Sequence, residues 1–208
     1  MNNLAYSSQN VEKVGPKIEE VIRKEVGASS ALPYEVEDGG AGKTTAGTVL
    51  AESVKTLFGG KETLLYTLYF NLTHPRPANL EVHVNKQGVG CHVGSLLYST
   101  MLAKPVSGEA SLEAPKTFGS SKFTGDSVAS QKLNASGDLV KRANKFARTE
   151  SQSGGITIKV DRFFKVVPQG SGSLLVIRTL PRPTSMGMSA TVDAKDFFDI
   201  AAMLEASL

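Results

Sequence analysis

ITIKVDRFFKVVPQGSGSLLVIRT, residues 156–179, is the stretch whose reading decides the fold class. Ile156, Ile158, Val160, Phe164 and Val166 alternate with Thr157, Lys159, Asp161, Phe163 and Lys165, and only Arg162 interrupts the apolar set. Apolar residues at every second position turn one side of an extended strand inward. Pro168-Gln169-Gly170-Ser171-Gly172 supplies a fixed φ and then residues that tolerate a positive one, which predicts a turn. The unbroken run Leu174-Leu175-Val176-Ile177 predicts a more deeply buried returning strand.

Downstream, Pro181-Arg182-Pro183 stops that strand, because proline cannot donate to a ladder. Met186 to Val192 is expected as a third strand, and Asp193 as the N-cap of a closing helix. Phe197, Ile200, Ala201, Leu204 and Leu208 fall on one face of that helix, with Asp199 and Glu205 off it. Such a stripe needs a sheet to cover.

Upstream, Val11, Val14, Ile18, Val21, Ile22 and Val26 have helical spacing. Gly15-Pro16 weakens their first turn, so the secure helix is expected to start near Pro16 and to stop at Gly27. A short strand is read at Tyr34–Glu37 and a helix over Thr45–Phe58. Leu64–Leu72, Leu80–Val84 and Val89–Met101 are expected strands, with a turn over Asn85–Gly88. Residues 106–130 are rich in Ser, Gly, Thr, Lys and Pro and read as an excursion or linker. Asp138–Arg148 reads as a basic helix.

The order predicts an α+β protein in which antiparallel sheets are packed by amphipathic helices, the C-terminal one included. One domain over residues 1–208 is expected, with two candidate pseudo-repeated halves, about 10–105 and 132–208, joined by the excursion 106–131. Leu68–Pro77 and Leu174–Pro183 carry the echo: each is an apolar strand running into Thr-x-Pro-Arg-Pro. Two related β-layers would explain it.

The single cysteine, Cys91, excludes an intrachain disulfide framework. The N-terminal Met1-Asn2-Asn3-Leu4-Ala5-Tyr6 has neither the basic nor the apolar region of a secretory signal, and no apolar run approaches the roughly 20 residues of a membrane span. A soluble, intracellular, cytoplasmic protein is the expectation; homo-oligomerisation stays open. The net charge of +3 is unevenly spread. Residues 1–104 are neutral, whereas residues 132–182 alone carry +7. Such segregation marks a face for a polyanion, or a surface whose basic and acidic parts meet in the fold.

Gly39-Gly40-Ala41-Gly42-Lys43-Thr44-Thr45 resembles the GGxGKT core of the deviant phosphate-binding loop of partition-type ATPases, with a predicted helix behind it. That resemblance implies phosphate binding through backbone N–H groups and Lys43. The surroundings depart from the family: Glu37 stands where ordinary spacing wants glycine, Asp38 replaces the preceding lysine, and Leu64–Leu72 offers no aspartate for magnesium. With Gln87-Gly88 at the centre of the hairpin turn, His83 would stand opposite His92, a two-imidazole pair still short of a third metal ligand. No G-x-S-x-G serine is present, and Cys91-His92 are neighbours that point to opposite faces of a strand. No residue constellation in the sequence argues for an enzyme, a metal or a cofactor.

The polar side of the opening stretch is the better functional signal. Lys159, Arg162, Phe163 and Lys165, with Arg178 and Arg182 near them, form a candidate polyanion-binding set. Basic groups with an interleaved ring suit single-stranded nucleic acid, the charges meeting phosphates and the ring stacking on a base. An acidic protein surface would use the same charges. The expected function is a non-enzymatic binding or assembly module; the alternative is a small apolar ligand or lipid held between sheet and helices.

Overall fold

A computed structural model describes residues 4–27, 35–38, 63–113, 120–147, 150–153, 156–159, 163–179, 182–183, 190–191 and 194–208. The expected loop at Gly39–Thr45, the helix at Thr45–Phe58, Arg162, Asp193 and most of the Met186–Val192 strand lie outside them.

The strands are β1 (Ala5–Tyr6), β2 (Glu35–Asp38), β3 (Leu64–Leu72), β4 (Ala78–Gln87), β5 (Gly90–Leu102), β6 (Ala110–Glu113), β7 (Thr124–Gly125), β8 (Glu150–Ser153), β9 (Ile156–Lys159), β10 (Phe163–Gln169), β11 (Gly172–Thr179), β12 (Arg182–Pro183) and β13 (Ala190–Thr191). Among the described residues there are four helices: α1 (Val11–Val26), α2 (Ser127–Ala135), α3 (Gly137–Ala147) and α4 (Ala194–Ser207). Nine strands form one antiparallel sheet in the order β2-β3-β4-β5-β11-β10-β6-β7, with β1 added to the free side of β5. β8-β9 and β12-β13 are separate two-stranded ribbons. The fold is α+β, and strands from both halves of the chain share one sheet rather than forming two layers.

One face of the sheet is the core. Tyr66, Leu68, Phe70, Leu80, Val82, Leu96, Tyr98, Phe164, Val166, Leu175 and Ile177 meet Val14, Ile18 and Ile22 of α1, Leu133 of α2, Phe146 of α3 and Phe197, Ile200 and Leu204 of α4. α4 touches the other three helices and β5, as its apolar stripe required. Phe197 stacks on Tyr98 at 5.0 Å and meets Phe146 edge-on at 5.8 Å, while Phe146 reaches Phe164 at 5.2 Å. These stacked, tilted and T-shaped ring pairs join two helices to two strands that are far apart in sequence.

Several expectations change. α1 begins at Val11, not Pro16, because the Asn10 side chain accepts the Glu12 N–H at 2.8 Å and caps a turn that lies ahead of the proline. The alternation from Ile156 to Val166 is divided: β9 pairs with β8, and only β10 enters the main sheet. The excursion 106–131 carries structure of its own. β6 pairs with β10 and buries Ala110 and Leu112, and Asp126 caps α2 through the N–H groups of Val128 and Ala129.

The β4–β5 and β10–β11 hairpins use one device. Gly88 and Gly170 take φ +59° and +58° at the first of two turn residues, where L side chains are strained. The β4–β5 turn is therefore Gly88-Val89 and closes on Gln87 opposite Gly90, one residue later than the sequence suggested.

Candidate functional site

The second face of the sheet holds the polar side chains. Cross-strand register sets them in straight rows, because opposed residues on neighbouring strands share a face. One row runs Tyr69, Glu81, Leu97, Arg178, Phe163. The next on one side is Thr67, His83, Ser95; on the other it is Asn71, Asn79, Ser99, Val176, Lys165, Ser111.

At the β10–β11 end, three of the six sequence-selected residues come together. Phe163 stands opposite Arg178, and Lys165 lies two residues along the same face. The Phe163 ring is half-buried against the small cluster of Leu97, Leu174 and Val176. Lys165 is 14% exposed at its side chain and pairs with Glu109 at 2.8 Å, while Glu109 keeps 53% of its side chain in solvent. The other three separate from this group. Lys159 sits in the β8-β9 ribbon opposite Glu150, Arg182 sits in the β12-β13 ribbon, and Arg162 lies outside the described residues.

The basic stretch is partly answered from within the chain. Arg142 of α3 bridges Asp196 and Asp199 of α4 at 2.6 and 3.3 Å, and Lys132 donates to the Leu208 carbonyl. Basic and acidic segments of the sequence thus meet in the helical layer. Lys141 and Lys145 line an open groove of about 410 Å³ with Ser120, Gly137, Val140 and Asn144.

Around the middle of β4 the same face carries a second group. His83 Nδ1 is 2.9 Å from Ser95 Oγ, and His83 Nε2 is 3.4 Å from Glu81 Oε2. Glu81 is 1% exposed, whereas His83 shows 19% of its side chain to solvent. The register shift between His83 and Val84 makes Gly94 the extra residue of a β-bulge in β5. Val93 and Leu96 both enter the core, and the inserted Gly94 turns Ser95 to the other face, opposite His83. A Cβ on Gly94 would lie 2.0 Å from the Asn85 amide nitrogen, so only glycine leaves room for that side chain.

The later turn and the bulge correct the histidine pairing. His83 faces Ser95, and His92 faces Asn85. Among the described residues no group of three or more His, Cys, Asp or Glu side chains is placed to hold a metal ion. Cys91 faces the core, donates to the Ser8 carbonyl at 3.1 Å, and burial pushes its thiol pKa up.

Sequence reasoning missed Glu81 and Ser95. Glu81 and His83 were legible as the polar side of an alternating strand. Ser95 was not, because strict alternation counted from Val93 turns it into the core. Among the described residues no helix is long and apolar enough to cross a membrane. Comparison with family models, with curated proteins and with solved structures finds no match to this chain.

Proposed function

We propose that the chain is a binding module that receives single-stranded nucleic acid on the β10–β11 end of its second sheet face. Phe163 stacks on a base, Arg178 faces the backbone, and Lys165 exchanges the Glu109 carboxylate for a phosphate. The observation that carries this reading is the register that sets Phe163 opposite Arg178 with Lys165 beside them. Phe163 packs against Leu97, Leu174 and Val176 on the same face, which holds its ring beside Arg178. Glu109 keeps 53% of its side chain in solvent, so its carboxylate end of the pair with Lys165 is open to exchange. A base on an aromatic platform contributes about 1–3 kcal/mol.

A salt titration of a labelled oligothymidylate tests this, with wild type beside Phe163→Leu and Arg178→Gln. Binding should weaken linearly in log affinity against log salt, and Arg178→Gln should lower the slope by about one phosphate contact. Phe163→Leu should weaken binding at every salt concentration. Polyglutamate that displaces the oligonucleotide from wild type and from Phe163→Leu alike would point to an acidic protein surface instead. Absence of binding at low salt ends the proposal.

A further inference from the structure

Independently of the nucleic-acid reading, we infer that Ser95, His83 and Glu81 form a nucleophilic relay able to cleave a small carboxylic ester. Three observations meet here. First, the polar contacts form one chain. Ser95 Oγ lies 2.9 Å from His83 Nδ1, and His83 Nε2 lies 3.4 Å from Glu81 Oε2; with the ring proton on Nε2, toward the carboxylate, Nδ1 accepts from Ser95 Oγ–H. That is nucleophile, base and orienting acid in sequence, with the longer contact of a kind that tightens when a ligand binds. Second, the geometry is built by an irregularity. The Gly94 bulge is what turns Ser95 out of the core toward His83, and bulges recur beside active sites because they re-aim a side chain. Third, the row holds an unspent polar group. Thr67, opposite His83 on β3, is 0% exposed, and among the described residues its Oγ1 has no hydrogen-bond partner. A buried hydroxyl without a partner carries a desolvation cost that a bound ligand's oxygen would remove.

The step balances with water as the only co-reactant. Ser95 Oγ attacks the ester carbonyl carbon, and its proton passes to His83 Nδ1. The C–O bond to the alcohol breaks, and the alcohol leaves with that proton. Water then attacks the acyl-serine, giving its proton to Nδ1, and the acid departs as Ser95 regains a proton. Glu81 is a positioning residue: it holds the Nε2–H tautomer and offsets charge on the ring while it carries two protons.

The test uses a fluorophosphonate on the full chain, which forms an Oγ–P bond with loss of fluoride. Tandem mass spectrometry should map the adduct to Ser95 in wild type, a result that needs no variant. Ser95→Ala, verified as folded by its melting curve, should abolish labelling. His83→Gln should slow it about 100-fold or more. Nitrogen-15 shifts of His83 should report the Nε2–H tautomer in wild type and a mixture of tautomers in Glu81→Gln, a change that a merely structural carboxylate would not produce. No adduct on folded wild-type protein, an adduct on another residue, or an unchanged rate in His83→Gln would each overturn the inference.

Discussion

Gly94→Ala is the sharpest probe of how the bulge is packed. Gly94 does not occupy the positive-φ region, so alanine is compatible with its backbone and the effect is steric. The new Cβ would stand 2.0 Å from Asn85 Nδ2 and 2.7 Å from its Cγ. Ordinary contact begins about 1.5 Å further out, so the Asn85 amide has to withdraw. Asn85 is only 9% exposed, and there is little free space to withdraw into. Overpacking of this kind costs about 1–3 kcal/mol. For a chain of this length that corresponds to a melting temperature lower by about 2–12 °C. The decisive assay is a double-mutant cycle by urea unfolding. Asn85→Ala removes the obstructing amide, so Gly94→Ala in that background should cost less than about 0.5 kcal/mol, leaving a coupling of about 1–2 kcal/mol. Equal losses in both backgrounds would refute the reasoning and place the strain in the strand backbone.

Two further outcomes follow from side chains that tie distant segments together. Asn144 of α3 is 6% exposed; it accepts from Ser121 N at 2.6 Å and donates to the Ser121 and Val140 carbonyls at 2.8 Å. Asn144→Ala should therefore destabilise by about 1–3 kcal/mol and speed amide exchange at Ser121, while the Phe123 amide, held separately by Asn134, keeps its protection. At Glu205, the Ala103 N–H at 2.6 Å and the Arg76 guanidinium at 3.1 Å hold the carboxyl below its ordinary pKa of 4.5, against the opposing effect of burial. A depressed folded pKa gives stability that is present above 4.5 and lost as pH falls through the folded value. Glu205→Gln should be less stable than wild type near neutrality, and unfolding curves taken from pH 7 to pH 3 should show the gap closing below about 4.5.

The sequence carried the core well, because periodicity reports burial directly. The stripe of α4, the apolar side of β3 and the run at Leu174–Ile177 all depend on local spacing, and all three are buried as that spacing required. Ala194 and Phe198, 1% and 8% exposed, are buried beside the stripe and escaped it. Partner choice was less legible. Nothing local in Ile156–Val166 says that β9 leaves for another ribbon, and the Ser/Gly-rich composition of residues 106–130 hid β6, whose place beside β10 is fixed by tertiary contact. At the candidate site, Phe163, Lys165 and Arg178 could be found by alternation because β10 and β11 pair without interruption. Ser95 could not, since one inserted glycine reverses the inside–outside sense of every later residue in the strand.

The place of the β10–β11 hairpin also sets an order of events during synthesis. Its two strands fit between β5 and β6, whose nearest residues, Leu102 and Ala110, are already together on the growing chain. Until residues 163–179 have left the ribosome, β5 and β6 each present an open hydrogen-bonding edge beside Leu96, Tyr98 and Leu112, side chains that are fully buried at the end. The nascent chain thus passes through a stage in which a central seam of its sheet is available to any other extended segment. Closing that seam with a late, tightly turned hairpin makes the interval between the emergence of β6 and that of β11 the period of greatest exposure to mispairing.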